Sequence, residues 1–297
     1  HTLALKADGT VWAWGRNSFG QLGDGTTTDR YSPVQVVCLT GVTTIASGRF
    51  YSLAITSDGM VWAWGSNEYG QLGDGTTNYA RSTPVQVLGL TGVVAVAAGG
   101  YHSLALMADR SVWAWGHNYS GQLGDGTTTG RSTAMPVPGL TGVTGVGAGD
   151  RHSLAVRSNG TAWAWGLNSS GQLGDGTLGH RYTPVGVSEL LNGVTVLADG
   201  GNHSLFIVST GEGDLNGDGS VDGADFAIFV AAFGRSVGQP QFDARCDYDA
   251  DGTVTLVDYQ VWLGHYRAFV GNPAAGAPVM PAGDADFDGD VDLADFA

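Results

Sequence analysis

Cysteine is nearly absent: Cys38 and Cys246 are the two in 297 residues, and they form no C-x-x-C spacing. Neither a disulfide framework nor a thiolate zinc site is therefore expected. Cationic residues are scarce as well, with 13 Lys and Arg against 28 Asp and Glu and a formal charge of −15. No apolar run approaches the roughly 18 residues that a membrane-spanning helix needs, so no span is expected. No lysine completes a G-x-x-x-x-G-K-[ST] loop, which removes the usual phosphate cradle. The chain opens at His1 without the charged and apolar segments of a secretory leader. Since His1 falls inside a repeat, the chain is expected to be cut upstream.

The acidic excess is unevenly placed. Residues 1–210 hold 10 Lys and Arg against 12 Asp and Glu, whereas residues 211–297 hold 3 against 16. A tail of that sign repels phosphate backbones and attracts divalent cations, so nucleic acid is not an expected partner and a metal is.

What the chain has in abundance is glycine, 49 residues, and repetition. VWAWG begins at Val11, Val61 and Val112, and AWAWG at Ala162. After each block come an asparagine (Asn17, Asn67, Asn118, Asn168) and GQLGDGT, with Asp24, Asp74, Asp125 and Asp175. Before each block lies an alternating segment ending in Asp-Gly, Asn-Gly or, once, Asp-Arg, which predicts a hairpin turn with φ > 0. HSLAL and VWAWG then pair as antiparallel strands, with Trp12 and Trp14 on one face and Ala13 on the other. A third strand is expected to begin at proline (Pro33, Pro84, Pro136, Pro184), and a fourth is an apolar segment such as GVVAVAAGG. Four short strands in about 50 residues make one propeller blade, which cannot cover its apolar faces without neighbours.

Through WGxNxxGQLGDGT and HSLAL the chain resembles the regulator-of-chromosome-condensation repeat family over residues 1–208. The resemblance implies a mainly β fold: four blades plus a stub of a seven-bladed β-propeller. The recurring His1, His102, His152 and His203 could suggest chemistry, but Tyr51 fills the same slot, so a buried hydrogen-bonding role is expected. The aspartates of GDGT are expected to bond nearby backbone amides. The segments after GDGT vary and each carries an arginine (Arg30, Arg81, Arg131, Arg181), making them either ligand-binding loops or solvated edges. A reaction centre needs a nonrepeating constellation, and none is visible in residues 1–208, so no enzyme is expected here.

The tail holds three copies of one pattern. DLNGDGSVDGAD offers oxygen ligands from Asp214, Asn216, Asp218, Asp222 and Asp225, with the Ser220 carbonyl. DYDADGTVTLVD offers Asp247, Asp249, Asp251, Thr255 and Asp258, with the Thr253 carbonyl. DADFDGDVDLAD offers Asp284, Asp286, Asp288, Asp292 and Asp295, with Asp290 at the carbonyl position. Glycine stands at position 6 of each (Gly219, Gly252, Gly289), where a loop must turn sharply around a hard cation. Behind the first loop, Phe226, Phe229, Val230 and Phe233 recur at helical spacing, and behind the second Tyr259, Trp262, Tyr266 and Phe269 do so. Two helices burying these stripes on each other are predicted.

A calcium loop followed by a single helix, duplicated and with Asp at position 12, is similar to the type I dockerin family over residues 213 to about 271. That similarity implies a small α-helical, calcium-dependent module that binds a cohesin domain, in a protein secreted by a bacterium or archaeon. Where cellulosomal dockerins often carry Ser-Thr at positions 10 and 11, this chain has Gly223-Ala224 and Leu256-Val257. The expected division is 1–209 propeller, 210–271 dockerin-like, 272–283 linker, and 284–297 a further calcium loop cut short. The expected function is extracellular or cell-surface attachment, the propeller taking a protein or glycan ligand. Alternatives are a piece of a larger polysaccharide-degrading enzyme whose catalytic domain lies outside the chain, and an exchange factor for a small GTPase.

Overall fold

In the computed structural model, residues 1–188, 194–208, 213–216, 221 and 223–270 are described. The chain separates into two units between Ile207 and Val208. In the first, β1 (Thr2–Leu5), β2 (Val11–Gly15) and β3 (Arg30–Gln35) form a three-stranded antiparallel sheet. Three four-stranded sheets follow. They are β4 (Val42–Ser47), β5 (Tyr51–Thr56), β6 (Val61–Ser66), β7 (Ala80–Gln86); β8 (Val93–Ala98), β9 (His102–Met107), β10 (Val112–Gly116), β11 (Arg131–Pro136); and β12 (Val143–Ala148), β13 (His152–Arg157), β14 (Ala162–Gly166), β15 (Arg181–Gly186). A stub of β16 (Val194–Asp199) and β17 (Ser204–Val208) ends the unit. Strands β4, β8, β12 and β16 lie beside one another in succession, which stacks the sheets as blades of a partial propeller.

The predicted hairpins form, in register: Leu53 faces Ala63 and Leu104 faces Ala114. Their turn differs from a two-residue φ > 0 turn. Gly9 N donates to Lys6 O and Lys6 N to Thr10 O, both at 3.0 Å, and within Asp8-Gly9 only the glycine has positive φ, +76°. This is a turn followed by a glycine bulge. The aspartate instead accepts from Thr10 N at 2.9 Å and Thr10 Oγ1 at 2.6 Å.

Proline does not begin the third strand. Pro33, Pro84 and Pro184 sit inside β3, β7 and β15, where the register slips between Arg30 and Val34 and at the equivalent points. A bulge on an outermost strand needs no N–H there, so proline is tolerated. Pro136 occupies a different slot, two residues later, and Ala134 takes the proline position.

The core lies between blades. Val61, Ala63, Leu72 and Val87 of one repeat cluster with Ala105 and Trp115 of the next, and Leu104, Val112 and Ala114 cluster with Ala155 and Trp165. Both faces of a middle strand are thus buried, and no blade is complete alone.

In the second unit, α1 (Gly223–Ala232) and α2 (Leu256–Val270) pack through the predicted stripes. Phe229 and Trp262 are fully buried, and Phe226 lies 5.4 Å from Trp262 between ring centroids. Tyr266 and Phe269 have side chains outside the described residues. Leu215, Val221, Cys246 and Val254 complete this core. Both cysteines are free, Cys38 exposed and Cys246 buried.

Candidate functional site

The repeated polar residues of the propeller are committed to holding successive repeats together. The carbonyl of Gln71 accepts from Ser103 Oγ at 2.9 Å and Trp115 Nε1 at 2.8 Å, both from the next repeat. Gln21 is gripped in the same way by Ser52 and Trp64, and Gln122 by Ser153 and Trp165. The second tryptophan of each later pair is fully buried, and truncating such a side chain costs about 3–5 kcal/mol. The first keeps a half-exposed face: Lys6 lies 4.2 Å over Trp12 and Arg157 4.0 Å over Trp163.

His102 and His152 belong to the same lattice. His102 Nε2 bonds Ser153 Oγ at 2.8 Å, His152 bonds Ser204 at 3.0 Å, and the Tyr51 hydroxyl donates to the His102 carbonyl. Burial depresses the histidine pKa values, to about 3 for His102 and about 4 for His152, so both are neutral. A buried structural role holds for these two, whereas His1 is half-buried, bonding Ser52 Oγ at 2.9 Å, and His203 is exposed.

The four arginines after GDGT fold back on the turn. Arg30 pairs with Asp24 at 2.7 Å, Arg81 with Asp74 and Arg131 with Asp125 at 3.0 Å, and Arg181 with Asp175 at 2.5 Å. Each aspartate also accepts from its threonine, as Asp24 does from Thr26 N at 2.9 Å, and from Asn Nδ2, as Asp74 does from Asn67 at 3.1 Å. Partial burial would raise these carboxyls, but the hydrogen bonds from threonine, arginine and backbone outweigh it and lower all four, Asp175 to about 2. The repeated asparagine and arginine were visible in the sequence; their meeting on one aspartate was not.

The acidic loops are built differently. Asp225 and Asp258, at position 12, are fully buried. Asp225 Oδ1 accepts from Leu215 N at 2.7 Å and Asn216 N at 3.0 Å; Asp258 Oδ1 accepts from Tyr248 N at 2.6 Å and Asp249 N at 3.3 Å. Each loop is thus closed by the same pair of bonds from positions 2 and 3. Asp258 Oδ2 also accepts from Thr255 N at 2.7 Å, one half of a capping box that starts α2.

In the second loop the carboxylates of Asp247, Asp249 and Asp258 converge, with one oxygen of each within 4.8 Å of the others. Gly252, φ +90°, sends its N–H to Asp247 Oδ2 at 3.0 Å. Asp251 instead accepts from Thr253 N at 2.8 Å, and Thr255 Oγ1 bonds Asp258. Hydrogen bonding from Asp251 N would lower the Asp249 carboxyl, but desolvation and the carboxylates of Asp251, Asp258 and Asp247 raise it. Three mutually repelling oxygens of hard donors, one on a buried aspartate, suit a divalent oxygen-seeking cation. In the first loop Asp214 is half-buried and Asn216 exposed, while Asp218, Ser220 and Asp222 lie outside the described residues. All of the third loop, Asp284, Asp286, Asp288, Asp290, Asp292 and Asp295, lies outside them too.

Stacked four-stranded blades tied through WG and GQLGDGT agree with a sequence match to the RCC1-like domain family over residues 1–224. The chain belongs to the RCC1-like family. Its RCC1-like part is followed by a match to the dockerin type I domain over residues 212–262, which takes in both closed loops. Among curated relatives, the human E3 ubiquitin-protein ligase HERC2 is 34% identical over 131 residues, covering 43% of this chain and 3% of that protein. The ultraviolet-B receptor UVR8 of Arabidopsis thaliana is 30% identical over 132 residues, covering 43% of this chain and 30% of the receptor. Among solved structures, human WBSCR16 superposes with TM-score 0.63 at 27% identity, covering 70% of this chain and 55% of that one. Yeast RCC1 (Prp20), solved bound to Kap60, gives TM-score 0.63 at 25% identity, covering 72% and 53%. The chain therefore spans about half of these two solved chains and a small part of the two curated relatives. No helix among the described residues is long and apolar enough to cross a membrane.

Proposed function

We propose that this chain is a non-catalytic attachment protein acting outside the cell or at its surface. A calcium-folded dockerin module seats it on a cohesin-type domain of another protein, and the propeller presents its loops to a ligand. The observation that supports this reading best is the meeting of Asp247, Asp249 and Asp258 in a loop whose position-12 aspartate is buried. Calcium would be held in the first loop by Asp214, Asn216, Asp218, Asp222 and Asp225 with Ser220. In the second it would be held by Asp247, Asp249, Asp251, Thr255 and Asp258 with Thr253. The third set begins at Asp284. The bound ion supplies positive charge that relieves carboxylate repulsion, so ordering of the two helices and cation binding are one event.

In this reading residues 1–209 are the propeller, 210–271 the module, 272–283 a linker and 284–297 part of a further loop. Leu256 and Val257, 58% and 54% exposed at loop positions 10 and 11, offer an apolar contact to the cohesin where other dockerins use hydroxyls. Titration of the chelator-treated chain with calcium by calorimetry tests the proposal. Saturable binding is expected, weakened roughly tenfold or more by Asp249→Asn, which removes one ligand charge from an exposed side chain. A chain that binds no calcium, or that captures a cohesin equally well in chelator, defeats it.

A further inference from the structure

Repetition makes departures from the repeat informative, because a residue that every blade requires recurs in every copy. At the junction between the sheet β4–β7 and the sheet β8–β11, Glu68, Tyr69, His117 and Tyr119 come together around one cleft of about 240 Å³. The corresponding positions at the preceding junction are Ser18, Phe19, Ser66 and Glu68, and at the following one Tyr119, Ser120, Leu167 and Ser169. Of these three junctions, this is the one whose four slots hold three rings and a carboxylate. Unlike the lattice of Gln, Ser and Trp, this set is not needed to build a blade.

The rings pack against one another along the lining of the cleft. The His117 ring, on a residue 6% exposed, lies 4.7 Å from Tyr69 at 88° and 4.5 Å from Tyr119 at 58°. Tyr101 backs Tyr69 edge-on at 5.3 Å, which fixes that wall. Tyr119 is 72% exposed and forms the open side, with the hydroxyl-bearing Thr77 and Ser132 on the rim.

The charge of His117 is set by a neighbour. In each repeat the glutamine Oε1 accepts the N–H two residues earlier, here Ser120 N to Gln122 at 3.0 Å. Gln122 Nε2 therefore faces His117 Nδ1, 2.6 Å away, and can only donate to it. Nδ1 presents a lone pair, the proton sits on Nε2, and the imidazole is neutral. Burial, reinforced by Arg151, lowers its pKa in the same sense. The His117 ring is thus uncharged, and Glu68 is the one charged residue among those that line the cleft.

A sugar stacks on one flat ring face. Rings at steep angles beside a carboxylate instead suit a compact cation, attracted to ring faces and anion together. We propose that this cleft binds an alkylammonium group, carried either by a methylated lysine of a partner protein or by a free quaternary ammonium compound. The site deepens the reading of the propeller as the ligand-presenting part but does not depend on calcium.

The test is calorimetric titration of the full chain with choline, with a short trimethyllysine peptide, and with the choline analogue in which tert-butyl replaces trimethylammonium. At least one cation is expected to bind at a single site, and the uncharged analogue roughly tenfold or more weakly. The tighter of the two cations identifies the source. Tyr119→Ser and Glu68→Ser, each installing the residue that two other repeats carry in that slot, should weaken binding roughly tenfold without moving the denaturation midpoint. Tyr31→Ser, at a residue 99% exposed on the outer strand, should leave binding unchanged. Repeating the titration in chelator separates this site from the calcium module, since cation binding must survive there. The proposal fails if neither cation binds at millimolar concentration, if the uncharged analogue or a neutral oligosaccharide binds as well, or if both cleft variants bind like the parent chain.

Discussion

Alanine at Gly73 should cost far more than alanine at Gly89, although both glycines have nearly the same backbone, φ +67° and +78°. A left-handed conformation costs an L-residue about 1–2 kcal/mol, and loss of glycine's freedom in the unfolded chain returns about 0.4–1 kcal/mol. At Gly89 nothing lies within 4 Å of the new Cβ, so the net cost there should be about 1 kcal/mol. At Gly73 the Cβ would stand 2.7 Å from Val87 Cγ1 and 2.9 Å from Trp115 Nε1. Trp115 is fully buried and bonds the Gln71 carbonyl at 2.8 Å, so it cannot withdraw without breaking the tie between repeats. Overpacking adds about 1–3 kcal/mol and a lost hydrogen bond about 1 kcal/mol, for a total of about 3–5 kcal/mol. Urea unfolding followed by tryptophan fluorescence measures both variants. In a Trp115→Phe background the Gly73→Ala penalty should shrink by about 1–2 kcal/mol, because the contacting Nε1 is gone. Equal costs for the two glycines within about 0.5 kcal/mol, or no coupling to Trp115, would refute the argument that this tryptophan ties the blades.

Cys38 is exposed, whereas burial, together with Asp243, pushes the Cys246 thiol up to about 12. With calcium present a maleimide should label Cys38 alone, and chelation should open Cys246; protection of Cys246 that persists in chelator would dissociate the module's fold from the ion. His102 and His152, at about 3 and 4 when folded against an ordinary value of 6.5, make unfolding take up protons. Stability should therefore be fully present above pH 6.5 and decline as pH falls toward 4, before most carboxylates titrate. His102→Tyr, copying the residue at Tyr51, should flatten its share of that decline, and unfolding free energies independent of pH in this window would contradict it.

Much of the molecule was readable because its physics is local and repeated. The alternation in VWAWG, the hairpins, the stripes Phe226-Phe229 and Tyr259-Trp262, and the ligand register of Asp247, Asp249 and Asp258 all follow from spacing along the chain. Proline lies inside the third strand and not at its start, because a bulge on an edge strand depends on pairing with β2, β6 or β14 across the sheet. Spacing left the segments after GDGT as either ligand-binding loops or solvated edges, because the partner of each arginine, an aspartate six or seven residues earlier, is brought close only by the curl of the loop.

The order of residues alone determined that this chain would be a series of interdependent β blades followed by acidic loops with a helix behind each. Periodicity, turn glycines and ligand spacing are encoded within tens of residues, where chain geometry leaves few choices. Only the tertiary structure decided which repeated polar groups tie neighbours together and that Glu68, Tyr69, His117 and Tyr119 share a cleft. Those juxtapositions join residues about 30 to 50 positions apart, and they arise when one blade's surface closes against the next.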